Sequence, residues 1–237
     1  KESEMIKSRI VAASAMLAIT TAASAAGSFT VTPTIATDYD FRGITQTALD
    51  PAFQLGINYA HESGFYGFLW GSNLDDDSYP GADLELDVGA GFAGGDAEES
   101  FGYDVGIVYY TYPGETDFNF PEIYAGISKG WFSAKMWYSW DFAGIGSDGF
   151  YTEANATMPL FWEMSGVAHI GYSFGDAWES NEYFDFAVGV SRNFGNFNVA
   201  MKYIDGSDLP DAPGTDVFDT GGKFWAAVST TLPWSAD

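Results

Sequence analysis

The amino-acid sequence predicts an all-β protein, a transmembrane antiparallel up-and-down β-barrel of about 12 strands. Three observations lead there. Apolar and polar residues alternate in runs of roughly ten, the length a tilted strand needs to cross a bilayer. The connections between runs alternate between tight turns and longer acidic segments. Ahead of the first run stands a stretch that reads as a cleavable export leader.

The leader comes first in the chain. Met5 reads as the start, with residues 1–4 upstream of it. Lys7 and Arg9 form a positive n-region, residues 10–21 an apolar h-region, and Ala23-Ser24-Ala25 a small-residue cleavage site. A retained anchor helix is the competing reading, but the apolar stretch is short of the ~20 residues a span requires. The expected division is therefore 1–25 as N-terminal extension and signal peptide, and 26–237 as barrel.

Composition narrows the function classes. The chain holds 33 acidic and 9 basic residues, for a formal net charge of −24. Such a charge repels nucleic-acid phosphates. There is no cysteine, so an exported chain of this size has no disulfide to hold it together. No later apolar run is long enough for a membrane helix. A closed barrel is then the remaining way to satisfy the backbone in lipid.

The strands follow in order, over residues 29–41, 51–60, 65–73, 83–92, 101–111, 121–128, 131–140, 149–157, 162–173, 182–193, 197–204 and 222–231. The clearest is 83–92, where Asp83, Glu85 and Asp87 alternate with Leu84, Leu86 and Val88. Alternate connections are tight, at 61–64, 129–130, 158–161 and 194–196. Those between them are longer: 42–50, 74–82, 112–120, 141–148, 174–181 and 205–221. Outer-membrane barrels pair short periplasmic turns with long external loops. Segment 93–100 is the exception, long for a periplasmic turn.

Parity then divides the faces. Phe53, Leu55, Ile57, Leu84, Leu86, Val88, Val105, Ile107, Met136, Phe186 and Val188 belong to the lipid face. The opposite parity supplies the candidate lining of a lumen: the acids Asp38, Asp40, Asp83, Glu85, Asp87, Asp104, Glu122, Glu153, Glu163 and Asp185, with His169 and the cations Arg42, Lys135, Lys202 and Lys223. An oily exterior over a charged interior is the reverse of a soluble barrel. Tyr110, Tyr112, Trp131, Trp140, Tyr151, Trp162, Tyr172 and Trp225 lie near strand ends. They suit interfacial aromatic girdles, although aromatics favour strands in any case.

A resemblance now has residues to rest on. Asp38-Tyr39-Asp40-Phe41-Arg42-Gly43-Ile44-Thr45-Gln46-Thr47 resembles the opening signature of the TorF-type (Gcw) family of proteobacterial outer-membrane porins. Blocks around Tyr59-Ala60-His61-Glu62-Ser63-Gly64, Gly102-Tyr103-Asp104-Val105-Gly106 and Glu122-Ile123-Tyr124-Ala125-Gly126 are similar to its later ones. The resemblance covers most of the chain and implies an outer-membrane location in a Gram-negative bacterium and a porin architecture. It names no solute. The chain departs from many such barrels in following its last strand with a short tail rather than ending on an aromatic residue.

The expected function is passive diffusion of small hydrophilic solutes, neutral or cationic, past an acidic lumen. The alternative is a structural barrel, or one that binds ions or lipopolysaccharide, with its interior packed by paired charges. Outer-membrane lipid and lipopolysaccharide are the expected surroundings, and both a monomer and a homo-oligomer fit. No cofactor or metal is expected. Acidic loops such as Asp75-Asp76-Asp77 lack an EF-hand pattern and read as solvated surface. Catalysis is not expected either. His169 and Ser165 share a strand face about 13 Å apart. The spelling Gly126-Ile127-Ser128-Lys129-Gly130 does not lead from a strand into a helix, as a nucleophile elbow would.

Overall fold

The computed structural model describes residues 27–179, 181–207, 218 and 220–234. The leader at 1–25 lies outside them. Among the described residues, fourteen strands form two sheets. Twelve close into a single antiparallel barrel: β1 (Ser28–Ala36), β4 (Ala52–Ala60), β5 (Phe65–Asn73), β6 (Leu84–Gly95), β7 (Gly102–Thr111), β8 (Phe120–Lys129), β9 (Phe132–Ser139), β10 (Gly149–Pro159), β11 (Met164–Phe174), β12 (Tyr183–Phe194), β13 (Phe197–Ser207) and β14 (Lys223–Thr230). The other two, β2 (Asp40–Phe41) and β3 (Ile44–Thr45), form a small hairpin of their own. Each barrel strand pairs with its neighbours in the chain, and β1 closes the ring against β14.

The predicted twelve strands are all present, with shifted limits. The first ends at Ala36 rather than residue 41, and the segment expected as an external loop at 42–50 does not leave the barrel. Strand β6 runs on to Gly95, so the over-long 93–100 turn shrinks to residues 96–101. Strand β13 continues to Ser207, and most of the acidic loop after it falls outside the described residues.

Alternation explains why the sheet closes this way round. Along β6, Leu84, Leu86 and Val88 are exposed and Glu85 and Asp87 are buried. Strands β4, β7 and β8 repeat the pattern, with Phe53, Leu55, Val105, Ile107 and Ile123 outward and Gln54, Val108 and Glu122 inward. Outward apolar side chains that would cost free energy in water are instead stabilised by a hydrocarbon surround. The tightly packed core is the barrel interior, and it is built from tyrosines, serines, threonines and carboxylates. Replacing Val88, midway along β6 on the outer face, with Arg should destabilise the barrel by about 2–4 kcal/mol in a bilayer. Urea unfolding of the lipid-refolded protein measures it, and an unchanged midpoint would contradict the facial assignment.

The closure is uneven. Strand β1 matches β4 over the full run from Ser28 opposite Ala60 to Ala36 opposite Ala52. Against β14 it has register pairs only at Thr34, Ile35 and Ala36, plus one bridge from Val31 to Leu232. Pro33 lies between these two contacts and has no N–H to donate to a ladder.

The aromatic prediction is corrected in part. Trp131, Trp140 and Trp162 are exposed, and Tyr172 is half-buried, as a girdle would have them. Tyr110, Tyr112 and Tyr151 are buried, and Trp225 packs against the interior cluster. The reason is parity. Tyr110 shares the inward parity of Asp104, Tyr151 that of Glu153, and Trp225 that of Lys223.

Candidate functional site

Segment 37–51 turns inward from the end of β1 and occupies the lumen at the end of the barrel that carries the longer loops. Asp38, Tyr39, Thr45, Gln46 and Thr47 are all buried. Asp38 organises the turn: the Thr45 hydroxyl donates to its Oδ1, and Thr47 Oγ1 lies 2.9 Å from the same oxygen. The Tyr39 N–H donates to Thr47 Oγ1, and the Gln46 N–H to the Tyr39 carbonyl. Short hydroxyl and carboxylate side chains of this kind stabilise tight turns by bonding their own backbone.

The tip of the hairpin is Arg42-Gly43, and both residues have positive φ, 54° and 85°. A two-residue hairpin loop of that hand favours Asn-Gly or Gly-Gly. Arginine there is strained by roughly 1–3 kcal/mol, and such strain persists only where surrounding contacts over-determine it. They do so here. Arg42 Nη1 and Nη2 donate to Glu122 Oε1 and Oε2 on β8 at 2.9 and 2.7 Å. Its guanidinium lies 4.2 Å from the centre of the Tyr151 ring and 4.6 Å from that of Phe41. Tyr110 donates to Glu122 Oε2 from the next strand, and Tyr183 donates to the Arg42 carbonyl. Burial works against the guanidinium charge, but Glu122 together with Tyr110 and Tyr151 holds the Arg42 pKa above its ordinary value. A Cβ on Gly43 would stand 2.7 Å from Asp185 Cβ, so the tip touches β12 as well.

The base of the hairpin is held from the opposite wall. Lys223 Nζ lies 2.9 Å from Asp40 Oδ2 and 3.1 Å from Asp38 Oδ2, and Trp225 Nε1 donates to the Asp38 carbonyl. Burial pushes the Asp40 carboxyl above its ordinary pKa in spite of Lys223. Tyr39 leans on Trp70 and donates to Glu85 Oε1 at 3.2 Å. Above it Tyr79 stacks on Tyr112 and donates to Gln46 Oε1. Residues from β5, β6, β8, β12 and β14 thus all touch one short segment, which fixes its place inside the ring.

The other half of the lumen, toward the tight turns, is arranged differently. A belt of polar contacts runs along the wall. The Tyr66 hydroxyl donates to Asp104, and Lys135 Nζ donates to Asp104 Oδ2 at 2.8 Å. Lys135 also sits over the rings of Tyr124 and Trp137. Trp137 Nε1 donates to Glu153 Oε1, and Asn155 Nδ2 to Glu153 Oε2. His169 completes it, with Nδ1 2.7 Å from Asn155 Oδ1 and Nε2 2.7 Å from Asp185 Oδ1. These charges are not sealed. Lys135 and Asp104 keep 22% and 28% of their side-chain surface, and His169 and Glu153 keep 22% and 18%. Tyr124 lies flat against the wall because Gly106 leaves room for it; a Cβ there would meet the Tyr124 hydroxyl oxygen at 2.4 Å.

Thirteen of the predicted lining residues therefore face the interior or belong to the inserted hairpin. Lys202 is among them, its ammonium 4.9 Å from the Trp225 ring. Two do not. Asp83 is exposed in the bend before β6, where the strand alternation has not begun. Glu163 lies in the turn before β11 with φ 57°, its side chain 87% exposed and facing Arg192. The parity rule was carried past the strand ends in both cases. Sequence reasoning missed Tyr39, Tyr66, Tyr124, Trp137 and Tyr183, although all the strand members among them carry lumen parity. The serine and histidine weighed for catalysis stay apart: Ser165 opposes Ser191, while both ring nitrogens of His169 are engaged within the belt.

A family model described as "Bacterial protein of unknown function (Gcw_chp)" matches residues 22–231. No curated protein matches the chain. Among solved structures, a KdgM porin is similar with a TM-score of 0.54 at 9% identity, over 87% of this chain and 99% of that one. A second, the KdgM porin in complex with disordered oligogalacturonate, gives 0.54 at 10% identity over the same shares. A NanC porin gives 0.55 at 7% identity, over 86% and 98%. At such identities the likeness concerns the fold, a closed antiparallel barrel.

Proposed function

The chain belongs to the bacterial Gcw_chp family, and from that premise we propose that it is an outer-membrane porin-like channel of a Gram-negative bacterium, passing small hydrophilic solutes that are neutral or cationic. The observation that carries this reading is the belt around Asp104, Lys135, Glu153 and His169: charged groups inside the barrel that retain contact with solvent. A barrel that served only as a scaffold has no need of accessible charge on its inner wall. The outward face is apolar along most of the strands, which supports residence in a bilayer.

Charge preference follows from the lining. Asp38, Asp40, Glu85, Asp87, Asp104, Glu122, Glu153 and Asp185 outnumber Arg42, Lys135, Lys202 and Lys223, and a ring of acids favours cations over anions. Oligogalacturonate is polyanionic, so the ligand named with the KdgM porin is a poor match for this interior.

The hairpin favours a second reading. Its buried residues fill the lumen at one end, as a plug would. Planar-bilayer recordings separate the two. Discrete steps whose reversal potential in a KCl gradient lies toward the cation side are expected. Anion preference would refute the charge assignment, and silence from correctly folded protein would favour the plugged barrel.

A further inference from the structure

The tight turn between β10 and β11 holds a strain that its own contacts do not explain. Trp162 and Glu163 are its two central residues, with φ of 59° and 57°, and the Met164 N–H donates back to the Phe161 carbonyl at 3.3 Å. A turn of that hand favours Asn-Gly. Larger residues held there cost free energy, and they persist where surrounding contacts over-determine them. Buried contacts do so at the Arg42 tip. Here Phe161 and Trp162 are 67% and 74% exposed and meet only edge to face, while the Glu163 side chain stands out from the wall.

Beside this turn an arginine stands on the lipid face. Arg192 on β12 has the parity of Phe184, Phe186 and Val188, which point outward. Its register partners are Met164 and Val199, and its guanidinium lies 5.2 Å from the centre of the Phe194 ring. Among the described barrel strands, the other charged residues of lipid parity are Lys129 and Asp205, both near strand ends. Arg192 is near an end too, since Phe194 closes its strand. A lipid-facing arginine is costly at the bilayer midplane and tolerated at the interface, so Arg192 belongs at the level of the headgroups. Its bonds are not filled by the protein. Among the described residues its one acceptor is Glu163 Oε2, at 3.4 Å, and its Nε is buried without any. The hydrogens on Nη1 and Nη2 are left largely to an acceptor from outside the chain.

An occupant of this place must bring an anion to Arg192 and a cation to Glu163 at a membrane interface. We propose that the two residues bind a phospholipid whose headgroup ends in a primary ammonium. The phosphate accepts from the guanidinium, whose planar fork suits it. The ammonium, two carbons further on, donates to the Glu163 carboxylate. Phe161, Trp162 and Phe194 lie where aromatic side chains meet headgroups. Glu163 disfavours a headgroup that is anionic overall, and a quaternary ammonium has no N–H to give it. The proposal rests on the barrel's residence in a bilayer but not on conduction, so recordings that refute the channel leave it standing.

Native mass spectrometry of the full chain in detergent tests it, with phosphatidylethanolamine, phosphatidylcholine and phosphatidylglycerol of identical acyl chains. The parent should retain the ethanolamine lipid about tenfold better than the other two, as hydrogen bonds to charged groups would give. Arg192→Gln should lower that retention about tenfold. Glu163→Gln should bring it down to the level of the choline lipid. Trp162→Ser, which leaves both charges in place, should keep the preference with less lipid bound in total. Equal retention of the three lipids by the parent overturns the proposal. So does a preference for phosphatidylglycerol, which would make Arg192 a plain anion site, or an undiminished signal in Arg192→Gln. Soluble phosphoethanolamine separates a lipid from a free solute: displacement of the lipid at equal concentration would refute a membrane ligand. Should the variants fail to fold, the parent's ranking of the three lipids decides.

Discussion

Arg42→Ala should lower the stability of the barrel by about 3–5 kcal/mol, the cost of leaving a buried charge without its partner. Glu122 is 1% exposed and depends on the guanidinium for both of its oxygens, apart from the Tyr110 hydroxyl. The same change removes the contacts that hold a positive-φ tip in place. Conductance should therefore rise as the tip loosens. The double variant Arg42→Ala/Glu122→Gln leaves no stranded carboxylate and should regain part of the lost stability. Thermal unfolding and single-channel recording of all three proteins check this. A double variant no more stable than the single, with both conducting as the parent does, would show that the pair neither latches the hairpin nor strains when broken.

The second large effect concerns the hairpin as a whole. Replacing residues 38–49 with a short Gly-Ser linker removes the side chains that fill one end of the lumen, while Thr37 and Asp50 remain to join β1 to β4. Single-channel conductance should increase several-fold, because a ring of twelve strands is wider than its own wall side chains need to fill. Cation preference should persist, since Asp104, Glu153 and Asp185 belong to the wall. An unchanged conductance would place the narrowest point elsewhere.

Much of the wall was legible from alternation alone. The period of two places Leu84 and Glu85 on opposite faces wherever the strand lies, and the rhythm of tight and long connections orients the set. The same periodicity concealed the hairpin. Asp38 and Asp40 continue the inward parity of Thr34 and Ala36, with Tyr39 and Phe41 between them, so a strand that stops at Ala36 and a strand that runs to Phe41 read alike. What distinguishes them is the Arg42-Gly43 tip and the Thr45 and Thr47 hydroxyls that close on Asp38, contacts that exist only once the segment has turned in. The aromatics failed for a different reason. Nearness to a strand end suggests an interface with headgroups, but Tyr110 and Tyr151 are turned inward by their neighbours in the alternation, where their hydroxyls donate hydrogen bonds to Glu122 and Asp185. Pairings such as Arg42 with Glu122 join residues eighty positions apart, and no local pattern contains them.

The thin seam between β1 and β14 gives the inserted segment a second duty. Asp38 and Asp40 follow directly after β1, and Lys223 and Trp225 open β14, so their bonds cross the one joint in the wall where few backbone pairs form. The segment that lies in one end of the bore is also the buckle on the hoop. Drawing it out completely would leave the first stave held to the last by those few backbone pairs alone. Arg42 and Glu122 hold the tip, and Lys223 is the pin at the base.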